Sequence, residues 1–228
     1  MQTIRRAIGA ADSLTVTHGA GAAADGEPAW LELLTHGMTF DLSGIAPGPG
    51  HAAPDVRNRY QVPSGFSDAV AEALALAPGP HLAGGRTRMA VVRMQAALAA
   101  HFVRELPTVA AIAWVPARTA IGRDFYLSAI DAWQADGPFP ALGLTAFRRT
   151  LGTAVQSEGL AFFTGQELHF DPSLFPDPAA ATRLGVRLVN ELVGRAPLVE
   201  PVELAGPDGE PIVLEPSRNG RYLRVGHG

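Results

Sequence analysis

Three carboxylates and one histidine lie close together in the sequence, at Glu158, Glu167, His169 and Asp171. Thr164-Gly165 has the composition of a two-residue hairpin loop between two apolar segments. Because side chains alternate between the two faces of a strand, a hairpin closed at this loop predicts that all four polar side chains share one face. Carboxylates and imidazole bind hard or borderline metal ions and also act as general acids and bases. A solvated face with the same alternation is the alternative, and a one-residue slip in register would remove the cluster.

A second group of chemically capable residues precedes the clearest helical pattern of the chain. Its members are His81, Gly84, Gly85, Arg86 and Arg88. Glycines at the start of a helix leave backbone N–H groups accessible, and the helix dipole favours an anion there. The segment 81–88 therefore predicts a site for an anionic ligand or an acidic partner. The alternative is a plain turn with Thr87 as the helix cap, which fits better with arginines placed against the dipole.

The amino-acid composition excludes several kinds of chemistry. All 18 basic residues are arginine, and the 228-residue chain has no cysteine. Thiol nucleophiles, cysteine-ligated metals and disulfides are therefore excluded, as are Schiff-base lysines and the lysine of a standard P-loop. A formal net charge of −4 gives no electrostatic reason to expect a nucleic-acid partner.

The stretch Gly19–Ala24 matches the glycine pattern of dinucleotide-binding turns, with Asp41 as the acidic residue further on. That mechanism needs a helix to begin at once, so that its N-terminus faces the pyrophosphate. The sequence Asp25-Gly26-Glu27-Pro28 interrupts any such helix. No cofactor is therefore predicted.

The elements that must position these residues can be read from periodicity and turn residues. Helices are predicted over 67–73, 89–106, 125–133 and 178–192. Strands are predicted over 14–17, 30–34, 38–42, 74–76, 109–115, 142–144, 160–163, 166–170, 202–204, 212–214 and 222–225. This mixture predicts an α+β fold with mixed, largely antiparallel sheets, three main helices packed on them and a C-terminal β-meander. We expect one compact domain over residues 1–228, with a long loop over 46–63 of the kind that is often mobile.

The apolar residues do not form a membrane span or a secretory signal. No apolar run reaches the length that a transmembrane helix needs, and Gly9, Asp12 and Ser13 interrupt the N-terminal stretch. The sequence therefore predicts a soluble, cytoplasmic protein without a membrane partner. Its alanine richness and its use of arginine in place of lysine are typical of a GC-rich bacterial genome.

Several phrases together resemble an uncharacterised bacterial family of domains of unknown function. They are Gly79–Gly85, Trp114–Arg118, Ser157–Leu160 and Gly165–Leu168. The resemblance spans most of the chain and implies a bacterial cytoplasmic protein with a mixed α+β fold. The family has no assigned activity, so the resemblance implies neither a substrate nor catalytic residues.

Two functions from different classes follow. The first is a non-catalytic binding or interaction module, which accounts for the lack of a recognisable catalytic motif in the sequence. The alternative is a small metal-dependent or acid/base-dependent hydrolase that uses the carboxylate–histidine cluster on the 158–171 hairpin.

Overall fold

A computed structural model of the chain describes residues 2–20, 29–46, 48–150 and 153–228. Helices and strands are present in similar proportions, and the sheets are antiparallel or mixed, so the predicted α+β class is confirmed. No helix in the described ranges combines the length and the apolar character that crossing a membrane requires. Of the glycine-rich stretch considered for nucleotide binding, Gly19 lies in a strand and residues 21–24 fall outside the described ranges.

Helices and strands are numbered in chain order. The strands are β1 Leu14–Ala20, β2 Ala29–Thr35, β3 Met38–Ile45, β4 His51–Ala52, β5 Asn58–Tyr60, β6 Glu72–Ala73, β7 Ala75–Pro78, β8 Ala111–Trp114, β9 Thr119–Gly122, β10 Ala146–Arg149, β11 Val155–Glu158, β12 Glu167–Phe170, β13 Val202–Ala205, β14 Pro211–Pro216 and β15 Tyr222–His227. The α-helices are α1 Gln2–Gly9, α2 Met89–Glu105, α3 Arg123–Gln134, α4 Ala141–Leu144, α5 Ala161–Thr164 and α6 Pro178–Leu192. Short 3₁₀ helices span Pro80–Gly85 and Val115–Ala117.

Close approaches between Cα atoms divide the chain into two compact units. The first unit comprises residues 1–55, 61–112 and 122–135, and the second comprises residues 56–60, 113–121 and 136–228. The expectation of a single domain over residues 1–228 stays a prediction, and each unit is described by itself.

The first unit is built on a four-stranded antiparallel sheet in the order β1-β2-β3-β7. The predicted hairpin of β2 and β3 is confirmed. Its turn residues His36 and Gly37 have φ angles of +48° and +75°, a left-handed pair that suits the twist of a two-residue hairpin. Alternate residues of β2 are buried, so one face of the sheet lies in the core.

Helix α2 follows the predicted apolar stripe and ends just before Leu106 and Pro107. Its buried side chains share a core with α1 and with the inner face of the sheet. Helix α3 packs on α2, where the hydroxyl of Tyr126 donates a hydrogen bond to the carbonyl of Ala96 over 3.1 Å. Burial raises the pKa of Tyr126 well above its ordinary value, so the phenol stays protonated and remains a donor.

The second unit contains a six-stranded mixed sheet in the order β10-β11-β12-β15-β14-β13. The predicted meander of β13, β14 and β15 is confirmed, whereas the parallel pairing of β15 with β12 was not predicted. Helix α6 packs on one face of this sheet, with the ring of Phe147 directly against Gly185.

Outside the 158–171 segment, two of the predicted helices and strands are wrong. Residues 67–73 form turns that end in β6 rather than a helix. Residues 142–144 lie in the short turn α4, where Gly143 has a φ of +124° that no strand would use. The strand predicted over 109–115 is present as β8, which lies at the edge of its sheet and is partly buried, with β9 in the centre. The loop predicted over 46–63 contains β4 and β5, and Pro47 lies outside the described residues.

The start of α6 supplies a first test. The Asp177 carboxylate accepts a hydrogen bond from the amide of Ala179 over 2.9 Å, and Pro178 occupies the first helical position. We expect Asp177→Ala to lower the free energy of unfolding by about 1 kcal/mol, measured by urea denaturation. Asp208→Ala is the matched control, since the carboxylate of this exposed turn residue makes no hydrogen bond within the described ranges. Equal unfolding midpoints for the two variants would contradict the capping role.

Candidate functional site

The segment predicted as a tight hairpin folds differently. Strand β11 pairs with β12 so that Gln156 lies opposite His169, whereas a two-residue loop at Thr164-Gly165 places Leu160 there. The predicted register is therefore wrong, because residues 161–164 form the helical turn α5 instead of a strand.

Aromatic packing favours the helical turn. Neighbouring side chains of a strand point to opposite faces, but Phe162 and Phe163 both pack on Trp114, with ring centroids 5.4 and 6.3 Å from it. Gly159 and Gly165 flank the turn with φ angles of +94° and +81°, values that glycine adopts without strain.

The carboxylate of Glu167 accepts hydrogen bonds at the start of the same turn with both of its oxygen atoms. Its Oε1 accepts hydrogen bonds from the amides of Gly159 and Ala161 over 2.8 and 3.0 Å. Its Oε2 accepts from the amide of Leu160 over 3.2 Å and from the hydroxyl of Ser157. Burial raises the pKa of Glu167, although these four donors oppose the shift. This carboxylate is a structural acceptor for a helix start rather than part of an open acidic face.

The other two carboxylates of the predicted cluster have separate partners. Glu158 lies 3.4 Å from the side-chain amide nitrogen of Asn58 and 3.9 Å from Nε of Arg148. Asp171 accepts hydrogen bonds from the hydroxyl and the amide of Ser173, which hold its pKa below the ordinary value, with a smaller effect from His169. Within the described ranges, no group of three or more His, Cys, Asp or Glu side chains is placed to hold a metal ion.

His169 belongs to a row of polar side chains that crosses the second unit's sheet. Strand registers place Arg148 opposite Gln156, Gln156 opposite His169, His169 opposite Arg224, and Arg224 opposite Glu215. The residues on either side of Gln156, His169 and Arg224 are buried, so these three side chains lie on the other, more exposed face of the sheet. Adjacent strands are about 4.8 Å apart, so neighbouring members of the row can bind one ligand together.

Part of this row lines a pocket of about 430 Å³, which we call the arginine pocket. Its lining residues are Gln156, His169, Ser217, Arg218, Asn219, Tyr222 and Arg224. None of these described lining residues is an aspartate or a glutamate, and two are permanently cationic. The nearest acidic side chain in the row is Glu215, which follows Arg224 on the far side from His169.

The wall of the pocket formed by residues 217–219 is held by its own side chains. Asn219 Oδ1 accepts from the amide of Arg221 over 3.1 Å and lies 2.8 Å from the hydroxyl of Ser217. Ser217 Oγ in turn accepts from the amide of Tyr222 over 3.0 Å. This hydrogen-bonded turn holds the backbone of Arg218 beside the pocket, as a preorganised site requires.

Five of the lining side chains have their donors available. In the described part of the chain, the side chains of Gln156, His169, Arg218, Tyr222 and Arg224 make no hydrogen bond or ion pair. Tyr222 and His169 contact each other edge to face, with ring centroids 6.5 Å apart. Two guanidinium groups and several neutral donors, with no carboxylate among them, form an arrangement suited to a phosphate or carboxylate group.

The segment predicted as an anion site lies in the first unit. Pro80–Gly85 forms a 3₁₀ helix, and Arg88 is the N-cap of α2, without a side-chain hydrogen bond to the first helical amides. His81, Arg86 and Arg88 are exposed, as is Gly84, while Gly85 is partly buried. Anion binding or an acidic partner at this segment stays a prediction.

Among the residues proposed from sequence, His169 is the one that lines the arginine pocket. Arg218, Tyr222 and Arg224 were missed. The alternation of β15 and the Asn219-Gly220 turn do place Arg224 on a polar face. What joins that face to His169 is the parallel pairing of β12 with β15, which local periodicity does not reveal.

No family model, curated protein or solved structure matches the chain. The resemblance to a bacterial family of domains of unknown function stays an expectation.

Proposed function

We propose that the protein is a binding module that takes an anionic group, a phosphate or a carboxylate, in the arginine pocket. The observation that carries this proposal is the convergence of Arg218, Arg224 and His169 on one pocket that no carboxylate lines. An anion there forms charge-assisted hydrogen bonds with guanidinium groups, which are the stronger class of hydrogen bond. Neutral donors of Gln156 and Tyr222 can satisfy its remaining oxygen atoms.

The charges around the pocket support the same conclusion. Arg148, at the other end of the polar row, lies within 3.9 Å of Glu158, whereas Arg224 has no ion-pair partner in the described ranges. The unpaired guanidinium therefore lies on the pocket side of the row. Because Arg218 and Arg224 are exposed, salt screens their attraction for a ligand, and affinity should fall as ionic strength rises.

No contact among the described residues favours the alternative hydrolase on the 158–171 segment. The carboxylate of Glu167 accepts four hydrogen bonds from the chain itself, and Glu158 and Asp171 have partners of their own. That alternative stays a prediction. We also propose a bacterial origin, which the alanine-rich and arginine-rich composition favours, and a cytoplasmic location.

Binding of inorganic phosphate tests the proposed function. We expect phosphate added to the full chain to shift the NMR signals of the pocket residues saturably, with acetate as a weaker carboxylate probe. Arg224→Ala and Arg218→Ala should each raise the dissociation constant for phosphate about tenfold or more, the effect of losing a hydrogen bond to a charged group.

Arg221→Ala is the matched control, because Arg221 is an exposed arginine in the same turn that does not line the pocket. It should bind phosphate as the wild type does. Equal weakening in all three variants would show a general charge effect, and the absence of saturable shifts in the wild type would contradict the proposal.

A further inference from the structure

A serine and a histidine of the first unit are hydrogen-bonded in the arrangement of a nucleophile and its base. Ser43 lies near the end of β3, and its Oγ is 2.8 Å from Nε2 of His51 in β4. Both side chains are partly exposed. With the Nδ1-protonated tautomer of His51, Nε2 accepts the hydroxyl proton, and this distance is within the range over which a base activates a hydroxyl.

The backbone holds the two residues together. Gly44, which follows Ser43, has a φ of +79°, and a Cβ at this position would lie 2.7 Å from both Cδ2 of His51 and the carbonyl oxygen of Ala73. The imidazole can therefore approach Ser43 this closely only because residue 44 has no side chain. The close packing of Gly44 against His51 therefore fixes the position of the Ser43–His51 pair.

The surroundings of Ser43 combine apolar and acidic groups. Across the sheet, Ser43 lies opposite Trp30 on β2 and Ala75 on β7, and both offer apolar surface. Asp41 precedes Ser43 by two residues, on the same face of β3, and its buried Oδ1 has no hydrogen-bond partner in the described ranges. Burial and the neighbouring Glu32 raise the pKa of Asp41. A small acyl group bound at Ser43 can contact this apolar surface.

We propose that Ser43 is a nucleophile with His51 as its general base, at a site for small carboxylic esters. This site is independent of the arginine pocket. Ser43 Oγ attacks the ester carbonyl carbon while its proton moves to Nε2 of His51. The carbon–oxygen bond to the alcohol then breaks, and the alcohol oxygen takes that proton. Water next attacks the acyl-serine, with His51 accepting its proton and returning it to Ser43 Oγ as the carboxylic acid leaves.

Labelling of the full-length protein with an alkyl fluorophosphonate tests this proposal. The serine oxygen bonds to phosphorus and fluoride leaves, so the adduct reports activation of the nucleophile without requiring turnover. We expect one adduct, mapped by peptide mass spectrometry to Ser43. His51→Gln should slow the labelling about a hundredfold or more, the usual contribution of a general base.

Ser173→Ala is the matched control, since the Ser173 hydroxyl is hydrogen-bonded to a carboxylate and not to an imidazole. It should label at the wild-type rate, and Ser43→Ala should not label. The adduct on the folded wild-type protein tests the activation of Ser43 by itself, and circular dichroism shows that His51→Gln is folded before its labelling rate is compared. No adduct at Ser43, or labelling of His51→Gln at the wild-type rate, would overturn the proposal.

Discussion

Replacing Glu167 by alanine is expected to lower the free energy of unfolding by about 4 kcal/mol. The substitution leaves the amides of Gly159, Leu160 and Ala161 and the hydroxyl of Ser157 without their acceptor. Each donor left unsatisfied in a buried place costs about 1–3 kcal/mol, with water able to reach some of them. Urea denaturation measures the total effect, and hydrogen exchange should accelerate most at the amides of residues 159–161.

Glu203→Ala is the matched control for this prediction. Glu203 is exposed on β13 and accepts no hydrogen bond in the described ranges, so its loss should change stability by about 0.5 kcal/mol or less. If Glu167→Ala were as stable as Glu203→Ala, the four hydrogen bonds would contribute nothing to folding.

Glu167 should also give a pH dependence. Because burial raises its pKa, the folded chain binds this proton more tightly than the unfolded chain does. The stability that results is fully present below the ordinary glutamate pKa and is lost as the pH rises through the raised value. Glu167→Gln has no such ionisation, so the wild type should lose stability relative to this variant over that range. Parallel stability curves for the two proteins would contradict the raised pKa.

Gly122→Ala is expected to destabilise the first unit by about 3 kcal/mol. Gly122 ends β9 and is the N-cap of α3, and a Cβ there would lie 1.9 Å from the carbonyl oxygen of Gln61. Since the opposing atom belongs to the backbone, no side-chain rotation can relieve the overlap. Gln61 already has a φ of +51°, so its peptide group has little freedom to move away.

Gly65→Ala shows what the same substitution does without a clash. A Cβ at Gly65 meets no atom within 4 Å, so this variant should match the wild type or gain about 0.5 kcal/mol from a less flexible unfolded chain. Thermal and urea unfolding of both variants measure the difference. Equal stability of Gly122→Ala and Gly65→Ala would mean that the strand end moves to accommodate the methyl group.

The parts of the fold that the sequence predicts correctly are those that neighbouring residues decide. The His36-Gly37 turn, the apolar stripe of α2 and the Asp177-Pro178 helix start each contain their own signal within a few residues. The 160–163 segment lacks such a signal, since four apolar residues suit a strand or a helical turn equally well. Its conformation depends on Glu167 and Trp114, which lie outside the segment.

The sequence predicts less of the candidate site than of the fold, for a related reason. The sequence predicts His169 as part of a carboxylate–histidine face, yet the residues that line the pocket with it, Arg218 and Arg224, are more than forty residues away in the chain. A parallel strand pair brings them together, and parallel pairing has no turn of its own to mark it. Periodicity does not mark the Ser43–His51 pair either, because the two residues lie on strands of different sheets.

The position of β15 sets the order in which the second unit can be completed during synthesis. It is the last described strand to leave the ribosome, yet it lies in the interior of the six-stranded sheet, between β12 and β14. In the order of the sheet, β15 is the strand that joins β10, β11 and β12 on one side to β14 and β13 on the other. Tyr222 and Arg224 of the arginine pocket lie on β15, so the pocket is complete only when this strand is in place.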